Sequence, residues 1–223
     1  MGGPKFIVLG YTESVRTSKR IMGRYKSEEE LRDVFKVSRL RKQARRLLVF
    51  KVVDVIDDDT WYLISFDIKE VIGRKTGLPR KATKEYTIIK EGMFWNLCGR
   101  IDNSTYICPE DFSGIPRKFT ELVEVWPVKP YDDKTLDAMR NAVSEALLWV
   151  KLQLIMQAKK LHGKGKEKAK ELVRRTETLM KSPWKHKVEK LLKGEVRLNN
   201  EVERLRQSLG VSNRLDTPKP KCL

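Results

Sequence analysis

The chain has 223 residues and a hydrophobic fraction of 40%, enough for one large domain or two small ones with a packed core. Its 47 Lys and Arg outnumber 30 Asp and Glu, and a net charge of +17 repels itself unless a polyanion, most commonly nucleic acid, neutralises it. Three cysteines, and the lack of a signal-peptide pattern or an apolar stretch of about 18 residues, predict an intracellular protein without a membrane span.

Residues 1–126 are predicted to form a small α+β domain. The apolar run at 5–9 is typical of a short strand. Ser27 is followed by three glutamates, a hydroxyl cap with acids in the first turn, so a helix is predicted from there to about residue 46. The basic residues near the end of this helix suit its dipole.

Two β-hairpins are predicted in the same domain. Residues 47–56 and 60–71 are β-branched and apolar and flank the turn at 57–59, which is the pattern of a hairpin. Further strands are predicted at 85–90, 96–101, 104–108 and 119–126, and the second and third of these flank an Asp-Asn turn. The fold class is therefore α+β, with one helix and a small mixed or antiparallel sheet or a partly closed barrel.

Residues 127–133 are predicted to be a proline-rich elbow. Pro127 and Pro130 each fix their own φ and keep the preceding residue out of the helical region. From 134 to 209 the apolar residues have helical periodicity, and 210–223 are predicted to be a flexible tail. The elbow would then separate the sheet from a helical part of the chain.

The region 134–209 is predicted to be a helical hairpin, a small bundle or a coiled coil. Thr135 would cap a long helix with a continuous apolar stripe, and a second helix is predicted at about 166–181. Pro183 suits the first turn of a third helix, whose heptad positions are Trp184, Val188, Leu191, Leu198, Val202, Leu205 and Leu209. The heptads predict a homodimer, or a helical protein partner, bound through residues 184–209.

Three basic clusters are the candidate nucleic-acid-binding sites. Most of the charge excess is C-terminal, because residues 134–223 hold 22 basic and 10 acidic residues. Basic loops with Gly and Thr suit phosphate, since backbone N–H groups and cationic heads reach the same oxygens. The candidate residues are Arg39, Arg41, Lys42, Arg45, Arg46, Arg74, Lys75, Arg80, Lys81, Lys84, Lys164, Lys166, Lys168, Arg174 and Arg175.

The sequence carries no pattern of base recognition. It has no zinc-finger spacing, no basic region leading without a break into heptads, and no aromatic motif of an RNA-recognition domain. The aromatic residues Trp61, Tyr62, Trp95 and Tyr106 are of the kind that stacks on bases, but core positions are the favoured interpretation. We therefore expect salt-sensitive binding to the phosphate backbone of DNA or RNA, without catalysis.

One spacing of acids predicts an alternative, a metal-dependent nuclease. Asp54 lies in a predicted strand, Asp67 and Lys69 end the next one, and an acidic helix start precedes them. This order resembles that of the PD-(D/E)xK nucleases, although Val53 replaces the proline. The resemblance implies two carboxylates that hold Mg²⁺ and a lysine that positions the attacking water. Outside this alternative no cofactor is expected.

The remaining candidates concern cysteines and self-association. Cys98 and Cys108 are expected to face each other across the second hairpin, as a disulfide or as core thiols, and thiols are the favoured interpretation. Without a CxxC pair, a zinc site is not predicted. A third functional hypothesis is an assembly protein that oligomerises through its C-terminal helices and packages nucleic acid.

Overall fold

The computed structural model describes residues 4–11, 20–36, 47–68, 71–72, 79–80, 83–102, 104–159 and 165–209. The strands in these ranges are β1 (Phe6–Tyr11), β2 (Arg20–Tyr25), β3 (Leu48–Val52), β4 (Trp61–Phe66), β5 (Val71–Ile72), β6 (Pro79–Arg80), β7 (Gly99–Asp102), β8 (Thr105–Cys108) and β9 (Val123–Pro130). The helices are α1 (Glu28–Lys36), α2 (Thr83–Trp95), α3 (Gly114–Arg117), α4 (Asp133–Ala158), α5 (Gly165–Met180), α6 (Lys185–Leu192) and α7 (Asn199–Ser208). The α+β class is thus confirmed.

Among the described residues, seven strands form one antiparallel sheet in the order β2-β1-β3-β9-β4-β8-β7. Arg24 of β2 forms an ion pair with Glu124 of β9, although β1 and β3 lie between these strands. The contact shows that the sheet curls. The guanidinium also lies 5.3 Å from the ring centroid of Trp126. The short strands β5 and β6 pair with each other in a separate ribbon.

The start of α1 follows from its sequence. Ser27 Oγ accepts a hydrogen bond from the backbone N–H of Glu30 at 3.2 Å, and a Glu30 carboxylate oxygen accepts one from the N–H of Lys26 at 2.7 Å. This near-reciprocal cap satisfies two donors at the helix start. Leu31 then packs the helix onto Phe6 and Val49 of the sheet. The part of the predicted helix at 37–46 lies outside the described residues.

The hairpin predicted from 47–56 and 60–71 is wrong, because β9 lies between β3 and β4. Val128 pairs with Val52 on one side and with Trp61 on the other, so β3 and β4 run parallel as neighbours of the same central strand. The triplet 57–59 does turn the chain, and Asp57 Oδ1 accepts hydrogen bonds from Asp59 N and Thr60 Oγ1. The residues of a turn thus predict where the chain reverses, but they do not predict which strand pairs with β3 or with β4.

The proline elbow expected at 127–133 is instead the second half of β9 and the start of α4. The Pro127 carbonyl accepts a hydrogen bond from Val53 N, so the N–H that Pro127 lacks would face the β3 side just beyond the last residue of β3. The N–H that Pro130 lacks would face the β4 side, but Pro130 lies beyond Trp61, the first residue of β4. Both prolines therefore occupy positions where a ladder hydrogen bond is already ending, which allows proline in a central strand.

Residues 85–90, predicted as a strand, belong to α2. Their Thr and Ile residues favour a strand locally, but Tyr86, Ile89 and Met93 recur at helical spacing and pack against the sheet. Tertiary packing decides between these two patterns because local propensities are weak. The hairpin predicted around residues 102–103 is confirmed by the antiparallel pair β7–β8.

Cys98 and Cys108 form a disulfide between the segment that precedes β7 and the last residue of β8. The prediction that both remain thiols is therefore wrong. Both residues are fully buried, in the cluster that also contains Met93 and Tyr106. The disulfide thus joins two parts of the chain that the same hydrophobic cluster already holds together.

Helices cover both faces of the sheet. Phe50 and Leu63 point to the side of α4, whose residue Val143 is fully buried against them in a shared cluster. Ile64 and Tyr106 point to the other side, toward α2. Because successive strand residues alternate between faces, both faces of this sheet are apolar. The helices after residue 133 therefore share a hydrophobic core with the strands.

The heptad residues expected to form a coiled coil are buried inside the same chain. The expected single helix is divided into α6 and α7 at Lys193, whose φ of 53° ends α6 in the left-handed region. The apolar residues of the pattern that are buried in the core shared with α4 are Trp184, Val188, Leu191, Leu198, Val202 and Leu205. These apolar residues are therefore not available to the homodimer or helical protein partner predicted through residues 184–209. Within the described part of the chain, each helix is too short or too polar to span a bilayer.

Candidate nucleic-acid interface

The structure describes six of the fifteen predicted basic residues. Arg80 lies in the strand β6, and Lys84 is exposed in the first turn of α2. The residues of the third cluster that are described are all exposed on α5 and are Lys166, Lys168, Arg174 and Arg175, with Lys166 and Lys168 on opposite flanks of its exposed side. The positions outside the described residues are Arg39, Arg41, Lys42, Arg45, Arg46, Arg74, Lys75, Lys81 and Lys164, together with Lys69 of the nuclease pattern.

The helix α5 has one apolar and one basic side. Ala169, Leu172, Thr176 and Leu179 are buried and fix the orientation of the helix. Its remaining surface carries Lys166, Lys168, Lys170, Arg174 and Arg175, all exposed. We call these five residues the α5 basic face. The periodicity of three and four that places the leucines inward necessarily turns the basic residues toward solvent.

Acids within α5 pair with part of this face. Arg174 and Arg175 both bind the Glu171 carboxylate, at 2.9 Å and 2.8 Å, and the pKa of Glu171 is lowered by Arg175 and then by Arg174. Lys170 pairs with Glu167 at 2.9 Å. Lys166 and Lys168, by contrast, form no ion pair with a described residue. The charge of these two lysines is therefore not balanced by a described carboxylate.

A cleft of about 380 Å³ lies between the end of α2 and the second half of α5. Trp95 and Leu179 form its apolar floor, and the two arginines of the α5 basic face lie at its rim. Its remaining lining residues are Gly92, Asn96, Thr178 and Ser182. This volume lies at the lower end of the range of small-molecule pockets, so a phosphate group fits in it with room to spare.

Most donors of this cleft are already engaged. The Thr178 and Ser182 hydroxyls donate to helix carbonyls at 3.1 Å and 2.9 Å, and Asn96 Nδ2 donates to Gly92 O at 2.9 Å. Among the lining residues, Arg174 and Arg175 therefore retain N–H groups for an anion, because each guanidinium carries five donors. A phosphate oxygen would compete with Glu171 for them.

A second basic cleft, near the turn at 57–59, is neutralised by acids. Lys129 pairs with Asp57 at 2.5 Å and Lys190 with Asp59 at 2.6 Å. Lys129, followed by Thr60, lowers the pKa of Asp57 to about 2. Lys129 thus holds the turn to β9 and Lys190 holds it to α6, so this cleft lacks the excess charge of the α5 basic face.

The acids of the nuclease pattern are not brought together. Asp54 follows β3 at the end of the sheet where Trp61 begins β4, whereas Asp67 follows Phe66 at the other end of β4. Six residues of strand put roughly 20 Å between these ends, too far for two carboxylates to share one metal ion. Within the described ranges, no group of three or more His, Cys, Asp and Glu has the arrangement of a metal site.

The four aromatic residues are predicted to occupy core positions, and this is confirmed for three of them. Trp61, Trp95 and Tyr106 are buried, and burial raises the pKa of Tyr106 to about 12. Tyr62 is half-buried, and its pKa is raised by burial and then by nearby acids. The three buried rings therefore present no open face as a platform for bases.

The cleft itself was not predicted from the sequence. Arg174, Thr178 and Ser182 recur at intervals of four, which marks them as one side of a helix, but Asn96 reaches them only through the packing of α2 beside α5.

Comparison with known proteins gives no match to a protein family, to a curated protein or to a solved structure.

Proposed function

We propose that this chain binds nucleic acid through the phosphate backbone, with the α5 basic face as the main contact surface. The observation that carries the proposal is the position of Lys166 and Lys168. Both lie in the first turn of α5, where the helix dipole disfavours positive charge, and neither has an acidic partner among the described residues. Positive charges that do not stabilise the folded state are expected at a surface that binds an external anion.

The dimensions of α5 fit this role. Its 16 residues span about 24 Å, the axial rise of roughly seven base pairs of duplex DNA. Lys166 and Lys168 would contact phosphates at one end, and the cleft with Arg174 and Arg175 would hold another phosphate near the opposite end. Each arginine would then exchange part of its contact with Glu171 for a charge-assisted bond to the phosphate.

Binding of this kind is indifferent to sequence. Phosphate contacts orient a protein on nucleic acid, whereas sequence is read from base edges or by stacking on exposed rings. The four candidate stacking residues are wholly or partly buried. We therefore expect similar affinities for duplexes of different sequence.

The test is fluorescence anisotropy with a labelled random duplex and a labelled single strand over a series of NaCl concentrations. The variant Lys166→Glu/Lys168→Glu should bind all sequences more weakly. Since log K falls with log salt by about 0.9 per duplex phosphate contact, losing two contacts should reduce the slope by about 1.8.

The matched control is Lys193→Glu/Arg197→Glu, which changes net charge equally at exposed positions between α6 and α7. It should keep the wild-type slope. An affinity that does not fall with salt would contradict nucleic-acid binding through phosphates, whereas equal losses in both variants would contradict only the assignment to α5.

A further inference from the structure

The side of α4 that faces away from the core is apolar along its second half. Leu148, Leu152 and Met156 are 56%, 45% and 49% exposed, while Val150 and Leu154 on the opposite side are fully buried. A helix that is apolar on all sides is normally covered on all sides. Here the outer stripe has no partner among the described residues.

Other helices border this stripe. On one side α2 packs against Trp149 through Phe94 and Trp95. On the other side α7 lines a cleft with Ile155 and Ala158. The stripe is thus a long strip of helix surface between two neighbours, accessible from outside along its length.

The spacing of the residues along the stripe is symmetric about Leu152. Glu145, Leu148, Leu152, Met156 and Lys159 are separated by three, four, four and three residues and lie within an arc of roughly 80°. A two-fold axis through Leu152 of an antiparallel pair would place Leu148 against the partner's Met156. Such self-complementarity is the requirement of an isologous interface.

The charges at the two ends of the stripe complement each other in the same register. Glu145 would face the partner's Lys159, and the two-fold axis makes this pair twice. Both residues are exposed, and neither forms an ion pair with a described residue of its own chain. We propose that the occupant of this stripe is a second copy of the chain, bound antiparallel through α4 with Leu152 on the two-fold axis.

The size of the contact sets the expected affinity. From Glu145 to Lys159 the stripe is roughly 21 Å long. One pair of helices of this length buries an area at the low end of specific interfaces, below about 1,200 Å². The dimer should therefore be reversible, with a dissociation constant in the micromolar range, and the charge pairs should decide its register.

The experiment is sedimentation equilibrium of the whole chain, freed of nucleic acid, from low micromolar to several hundred micromolar. The wild type should dimerise with concentration. Glu145→Lys and Lys159→Glu should each weaken dimerisation about ten-fold, because each puts like charges together twice. The double variant Glu145→Lys/Lys159→Glu restores opposite charges and should recover the wild-type constant.

Two further variants complete the test. Leu152→Glu puts two carboxylates on the two-fold axis and should leave only monomer, with its circular dichroism spectrum unchanged because Leu152 is exposed. Lys134→Glu, on the same side of α4 but outside the register, should dimerise like the wild type. A wild type that stays monomeric at every concentration, or a double charge swap as weak as its single changes, would overturn the proposal.

Discussion

Lys187 shows how a charged residue becomes part of the core. It is 7% exposed, and its ammonium donates to the carbonyl oxygens of Thr60 and Pro109 at 3.3 Å and 3.2 Å, with a Glu110 carboxylate oxygen 3.6 Å away. The residue thereby fastens α6 to the start of β4 and to the chain just after β8. From the sequence it is one lysine among many, because nothing local marks the two carbonyls it reaches.

Replacing this lysine should therefore destabilise the fold. Lys187→Met keeps most of the side-chain volume but leaves two buried carbonyls without a charged donor, so the free energy of unfolding should fall by about 2–3 kcal/mol. Urea denaturation at neutral pH measures it. The control is Lys190→Met, which removes an exposed ion pair with Asp59 and should change stability little. Equal losses of unfolding free energy in both variants would show that the buried hydrogen bonds stabilise the fold no more than the exposed ion pair does.

At the scale of elements, the contact between α4 and β7 depends on a glycine. A Cβ on Gly99 would lie 2.6 Å from the backbone carbon of Ala142 and 2.6 Å from the backbone nitrogen of Val143. Since both contacts are with backbone atoms, the helix itself would have to move. The small side chain of Ala142 and the absence of a side chain at Gly99 together allow α4 to lie this close to the sheet.

Gly99→Ala should consequently cost about 1–3 kcal/mol of stability, or somewhat more if α4 cannot shift. Gly114→Ala is the control, since a Cβ there would meet no atom within 4 Å and alanine favours the helical backbone of α3. Thermal unfolding followed by circular dichroism compares the two. An unchanged or raised melting temperature for Gly99→Ala would contradict the close approach of helix and strand.

The elements that could be predicted are those fixed by neighbouring residues. The helix expected at 166–181 is α5, and the expected second hairpin is β7–β8, because helical periodicity and turn residues act within a few positions. Pairing across the chain could not be predicted. The strand β9 joins β3 and β4 from some 70 residues away, and no local signal marks an insertion of this kind.

The same distinction holds for the candidate site. The basic character of α5 is visible in the sequence, but which of its cations remain unpaired depends on where Glu171 and Glu167 lie on the helix. The heptads of residues 184–209 predict a surface for a partner, but α4 covers this surface within the same chain. The apolar stripe left outside is on α4 itself, where a continuous apolar run conceals which side faces solvent.

For the whole molecule, two electrostatic effects oppose each other. A net charge of +17 destabilises the compact state by self-repulsion, which salt screens. Salt also weakens ion pairs, but most pairs between described residues are substantially exposed, and such pairs contribute little each. The repulsion should therefore dominate the response of stability to salt.

The melting temperature should accordingly rise by a few degrees when NaCl is increased from about 0.1 M to about 1 M, since the Debye length falls from about 10 Å to about 3 Å. Differential scanning calorimetry measures this rise. The variant Lys193→Glu/Arg197→Glu lowers the net charge by four units to +13, so it should show a smaller rise. A melting temperature that falls with salt would mean that the ion pairs outweigh the repulsion. The unneutralised charge on α5 would then be too weak a perturbation of the fold to require a polyanionic partner.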